Sequence, residues 1–112
     1  GIVRQRVRAL QALATEVAAG RLRLEASAPL DETLEHLRAL PGFGEWTVQL
    51  VALRALRWPD AFPASDIGVL DALAGSTGGG RDAKAAEIAS QAWRPWRGYA
   101  AMKLWRSLEN AA

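Results

Sequence analysis

Apolar residues fall at helical spacing along most of the chain. Val3, Val7, Leu10, Ala14 and Val17 recur every three or four residues, which predicts a helix over residues 2 to 18 with Gly20 as its stop. Residues 21 to 29 read as a loop. Asp31 is a candidate cap for a short helix over 32 to 39, with Leu34 and Leu37 turned inward. The run from Glu45 to Leu56 carries Trp46, Val48, Leu50, Val51, Leu53 and Leu56. It is apolar on nearly every side and predicts a buried central helix. Pro59 and Pro63 mark a loop. A further helix starts at Ser65 or Asp66 and reaches Leu73, and Gly75 to Gly80 reads as a flexible linker. An alanine-rich helix covers Arg81 to Trp93, and Pro95 suits the first turn of a last helix ending near Asn110. No segment alternates with period two. The predicted fold class is all-α, with about six helices in a single domain over residues 1–112.

Composition narrows the partners. A chain of 112 residues supports one modest core. It has no run of about 18 apolar residues, so no membrane span is predicted. With no cysteine and one histidine, His36, it excludes disulfides, thiolate zinc sites, iron–sulfur clusters and histidine-rich metal sites. These absences fit the cytoplasm. The net charge is only +2, but twelve of the fourteen basic residues are arginine, which favours bidentate contact with phosphate. Arg4, Arg6 and Arg8 read as a solvated helix face. The chain opens Gly1-Ile2-Val3 without methionine and reads as a fragment.

The most telling local pattern is Leu40-Pro41-Gly42-Phe43-Gly44-Glu45-Trp46-Thr47. Two glycines two apart permit a tight turn, and the helix that follows aims its first backbone N–H groups over that turn. Read alone, the glycines allow two interpretations: a tight helix–helix connection that binds nothing, or an anion site. The order helix, Leu-Pro-Gly-apolar-Gly, helix is that of a helix–hairpin–helix, here at about 31–56. Backbone N–H groups of Gly42, Gly44 and Thr47 are then candidates to hold one DNA phosphate, without reading sequence.

Asp66 stands 22 residues beyond Gly44, and its spacing alone favours an ordinary helix cap. Asp71 reads as surface. Trp46 reads as core on its own helix. Trp93, Trp96, Tyr99 and Trp105 cluster near the C-terminus, where most are expected to pack between helices. The alternative is an electron-rich wall that stacks on a flipped base. His36 reads as solvated.

Together with the hairpin, the ordered segments Ala52-Leu53-Arg54, Phe62-Pro63-Ala64-Ser65-Asp66, Trp93-Arg94-Pro95-Trp96-Arg97-Gly98-Tyr99-Ala100 and Leu104-Trp105 resemble the helix–hairpin–helix DNA glycosylases. The resemblance is to the C-terminal part of the 3-methyladenine DNA glycosylase II, or AlkA-like, branch, and it covers most of residues 36 to 105. It implies a monofunctional enzyme that excises alkylated bases from double-stranded DNA by cleaving the N-glycosidic bond. Asp66 matches the family's catalytic aspartate, and Trp46 and Trp105 match aromatic residues of its base pocket. Relatives that also cleave the strand carry a lysine where this chain has Trp46, so no Schiff-base step is implied. No cofactor is required. A sodium or potassium ion at the hairpin is implied, held by backbone carbonyls matching Arg38, Leu40 and Phe43. Bacterial, nucleoid-associated activity is implied as well.

The chain departs from the family in places. Leu50 stands where an aromatic residue is common, and the linker holding Gly78-Gly79-Gly80 is longer. The family's β-rich domain and its DNA wedge have no counterpart here, so the missing N-terminal part of the same protein is an implied partner. Two rival readings are a non-catalytic helix–hairpin–helix DNA-binding module and an inactive fragment.

Overall fold

The computed structural model describes residues 2–77 and 80–111. Among them lie six α-helices and no strand: α1 (Ile2–Ala18), α2 (Leu30–Ala39), α3 (Glu45–Arg54), α4 (Ile67–Thr77), α5 (Ala83–Ser90) and α6 (Arg97–Ala111), with a 3-10 turn at Gln91–Trp93. The all-α expectation holds. Gly78 and Gly79 of the predicted linker lie outside the described residues. No described helix is long and apolar enough to cross a membrane. The chain divides into two compact units, residues 1–57 and 58–112.

In the first unit, Gly20 ends α1 as expected. It sits at φ +75, and the N–H groups of Arg21 and Leu22 return to the carbonyl of Glu16 at 3.0 and 3.2 Å. That reversal buries Leu22 with Leu34, Leu37, Leu40, Val48, Ala52, Leu53 and Leu56. The apolar stripe of α1 is helical but not covered: Val3, Val7, Leu10 and Val17 are exposed, Val3 at 75 %. The partly buried face is instead Ala9, Ala12, Leu13 and Glu16. Close approach decides this, because a Cβ at Gly42 would stand 3.0 Å from the Cβ of Ala9. Only a small residue fits there.

Three further expectations change in this unit. Helix α2 starts at Leu30, with Pro29 rather than Asp31 at its cap and no side-chain cap bond. The ring of Pro29 presets a helix-compatible φ of −60, which leaves Asp31 inside the first turn, where its charge suits the helix dipole. Helix α3 is buried only along Val48, Gln49, Ala52 and Leu53, while Trp46 is 42 % exposed. A unit this small cannot cover a helix on all sides. His36 is not simply solvated: its Nε2 lies 2.8 Å from Oε1 of Glu16, a residue twenty positions earlier.

In the second unit, α4 packs on α6. The core is Phe62, Val69, Ala86 and Ala101, with Leu70, Leu73, Trp93, Leu104 and Trp105 around it. The predicted loop at 58–63 is irregular but inward: Asp60, Ala61 and Phe62 are all buried. Helix α4 runs on to Thr77, so Gly75 is helical and not part of a linker. Asp82 caps α5, its Oδ1 accepting from the N–H of Ala85 at 3.1 Å. Pro95 falls before α6 rather than in its first turn. The N–H of Trp96 closes a turn onto the carbonyl of Trp93 at 2.8 Å, and the helix begins only after that turn, at Arg97. Trp93 packs edge-on against Phe62, with ring centroids 6.0 Å apart. Trp96 and Tyr99 are not core residues. They lie on the surface, 5.8 Å apart, against each other.

Candidate functional site

The hairpin is built at the junction of α2 and α3. The N–H of Leu40 closes α2 onto Leu37, and the N–H of Phe43 closes the turn onto Leu40 at 3.3 Å. Gly42 takes φ +81, a conformation L side chains resist. Gly44 differs. It is the N-cap of α3 at φ −82 and ψ 172, extended backbone open to any residue, and a Cβ built there meets nothing within 4 Å. Gly42 is therefore required by the turn and by Ala9, whereas none of the described residues requires Gly44. Its bareness leaves the start of α3 open to close approach from outside.

The charges at this helix start are balanced. Glu45, in the first turn of α3, accepts from Arg38 Nε and Nη2 at 3.0 and 2.9 Å and from Gln49 Nε2 at 3.0 Å. The Arg38 guanidinium holds the Glu45 carboxyl below its ordinary pKa. A carboxylate beside an anion site would repel the anion, and the paired arginine offsets that repulsion. Thr47 sits half-buried in the same turn, and Trp46 stands exposed beside it.

The second unit brings Asp66 and Trp105 together across 39 residues of sequence. Asp66 precedes α4, and its Oδ2 accepts from the N–H of Val69 at 3.0 Å, an N-cap bond. The same oxygen accepts from the indole Nε1 of Trp105 at 2.7 Å. Two donors on one oxygen fix the carboxylate's rotation. Trp105 is half-buried against the core, so its ring orientation is set by packing. Asp71 is paired on the surface with Arg81 at 2.5 Å.

Sequence reasoning missed the groups that hold this region in place. Arg97, 4 % exposed, donates to Asp60 Oδ1 at 3.0 Å, to Glu87 Oε1 at 3.0 Å and to Ser90 Oγ at 3.3 Å. Arg94 also bonds Asp60, at 2.5 Å. This network ties the segment leading to Asp66 onto α5 and the start of α6. Its one sequence signal is the pair Arg94 and Arg97 flanking Pro95 among aromatic residues. The acidic partners are up to 37 residues away and leave no local trace. No group of three or more His, Cys, Asp or Glu suited to a metal ion occurs among the described residues.

Three curated relatives are similar to the chain in sequence. The chain is 40% identical over 109 residues to the probable bifunctional transcriptional activator/DNA repair enzyme AlkA of Mycobacterium tuberculosis, covering 97% of this chain and 22% of that protein. It is 30% identical over 105 residues to DNA-3-methyladenine glycosylase 2 of Escherichia coli, covering 94% of this chain and 36% of that protein. It is 36% identical over 76 residues to the DNA-3-methyladenine glycosylase of Bacillus subtilis, covering 66% of this chain and 25% of that protein. The chain belongs to the AlkA-like DNA glycosylases. It spans between 22% and 36% of the length of these AlkA-like relatives. No protein-family profile matches the chain.

Proposed function

We propose that this chain carries the phosphate grip and the catalytic carboxylate of a monofunctional DNA glycosylase, a hydrolase of base-excision repair. Its reaction is hydrolysis of the N-glycosidic bond of alkylated, 3-methyladenine-type bases in duplex DNA. The observation that carries the reading is Asp66: a half-buried carboxylate whose Oδ2 is held by the Val69 N–H and the Trp105 indole.

The chemistry follows from charge. An alkylated purine is already cationic, so it leaves as a neutral base with the electron pair of the glycosidic bond and needs little acid catalysis. Positive charge then develops at the sugar C1′. An anionic carboxylate oriented toward C1′ would stabilise that charge without reorganising. Water adds to C1′ and gives up its proton to the Asp66 carboxylate, which would also orient that water and pass the proton on to solvent. The base must leave the helical stack for this to occur. The base-contacting roles that the resemblance gives to Trp46 and to Trp105 belong to the same proposal, and a cationic base against an indole face gains ~1–2 kcal/mol when desolvated. No lysine stands at position 46, so hydrolysis without strand cleavage is the outcome.

The hairpin supplies the grip. N–H groups at Gly42, Gly44 and Thr47 would meet a phosphate at the uncapped start of α3. The carbonyls of Arg38, Leu40 and Phe43 are neutral oxygen donors suited to sodium or potassium, and such an ion would add positive charge beside the phosphate. The Leu40 carbonyl already accepts from Phe43 and retains a second lone pair. Association with the bacterial nucleoid, and with further parts of a longer AlkA-like polypeptide, belongs to the same proposal.

Base release from methylated duplex DNA tests the reading. Asp66→Asn keeps a capping side chain, so the fold and DNA affinity should persist while release is lost. Unchanged release in that variant would sink the catalytic role. The capping bond to Val69 favours a second reading, a non-catalytic DNA-binding module in which Asp66 only caps α4. That reading expects duplex binding with no release before or after the substitution.

A further inference from the structure

Gly68 is the second residue of α4 and lies outside the left-handed region, so its backbone does not call for glycine. Glycine is also a poorer helix former than alanine. What excludes a side chain there is the neighbourhood. A Cβ at 68 would stand 2.9 Å from Trp105 Cδ1, 3.2 Å from Trp105 Nε1 and 3.0 Å from Asp66 Oδ2. The last two atoms are the donor and acceptor of the indole–carboxylate hydrogen bond. A contact of 2.9 Å to a carbon is closer than van der Waals separation allows. The indole is a rigid ring packed against the core, so it cannot yield as a flexible chain end would.

We propose that Gly68 is a positioning residue: its missing side chain lets the Trp105 indole lie against the first turn of α4 and donate to Asp66. Any larger residue displaces the ring and breaks the indole bond at Oδ2, which takes away one of the contacts that orient the carboxylate. The catalytic consequence rests on the glycosylase reading, but the geometric claim does not.

The test therefore has two parts. The first uses the chain itself and needs no substrate. In a proton–nitrogen spectrum, the Trp105 indole N–H, identified by its disappearance in Trp105→Phe, should lie downfield and exchange slowly. It should move upfield in Gly68→Ala while helix content is kept. An unmoved resonance in Gly68→Ala would overturn the proposal. Should that variant give poor spectra, thermal melts decide. Gly68→Ala should lower the midpoint by several degrees in the natural chain and by much less in a Trp105→Ala background, where the ring is gone. An equal loss in both backgrounds also overturns it.

The second part measures base release. Gly68→Ala should lower kcat with little change in KM for methylated duplex, and should cost nothing further once Trp105 is Phe. If Asp66→Asn leaves release unchanged while the indole resonance responds to Gly68→Ala, the glycosylase reading fails and the positioning claim stands.

Discussion

The two hairpin glycines should respond oppositely to the same methyl group. At Gly42 an alanine side chain must adopt φ +81, which costs roughly 1–2 kcal/mol for an L-residue. Its Cβ also meets the Ala9 Cβ at 3.0 Å and the Gln5 carbonyl oxygen at 3.5 Å. Overpacking of this kind adds roughly 1–3 kcal/mol. Gly42→Ala is therefore expected to destabilise by about 2–5 kcal/mol, a large share of a domain's typical ~5–15 kcal/mol. At Gly44 the backbone is extended and the space empty. Alanine loses a little as an N-cap, about 0.5 kcal/mol. It regains about 0.4–1 kcal/mol by restricting the unfolded chain. Its stability should stay within about 0.5 kcal/mol of the natural chain. Urea unfolding followed by circular dichroism measures both, and fluorescence anisotropy on a labelled duplex measures binding. Gly44→Ala should bind DNA more weakly although it is as stable as the natural chain, because its methyl occupies the approach to α3. A Gly44→Ala variant that binds as tightly as the natural chain would refute the phosphate-grip reasoning. A Gly42→Ala variant of undiminished stability would refute the structural half.

Two other outcomes follow from the charges. Arg97→Met strips a buried cation from Asp60 and Glu87; losses at such sites run to about 3–5 kcal/mol, and Arg94 remains on Asp60, so a value near the lower end is expected in the same urea assay. Glu16 is held at a pKa of about 2, down from 4.5, chiefly by hydrogen bonds from Arg21 and then His36. A depressed carboxylate stabilises above its unfolded pKa and loses that contribution as pH falls through the folded one, so acid titration from about 4.5 to about 2 should weaken the first unit. Glu16→Gln should flatten that part of the pH–stability curve; an unchanged curve would show that the Glu16 contacts contribute nothing.

Local signals were legible because each needs only neighbours in sequence. The helices follow from residue spacing, the end of α1 from Gly20, and the hairpin from Leu40 to Thr47, since a tight turn and a helix start are set by a few consecutive residues. Asp66 could be read locally as a cap, and it is one. Tertiary structure decided what lies beyond a helix turn or two. It turned the stripe of Val3, Val7, Leu10 and Val17 outward, because contact with Gly42 selects the small residues of α1 instead. It paired His36 with Glu16 and Arg97 with Asp60, interactions whose partners are distant in sequence and close only after folding. It also separated two glycines that look alike in sequence, one fixed by φ and by Ala9, the other by none of the described residues. Above all it placed the Trp105 indole on the Asp66 carboxylate. That contact depends on α4 packing against α6 and on Gly68 having no side chain, and neither condition is written in the spacing of the residues themselves.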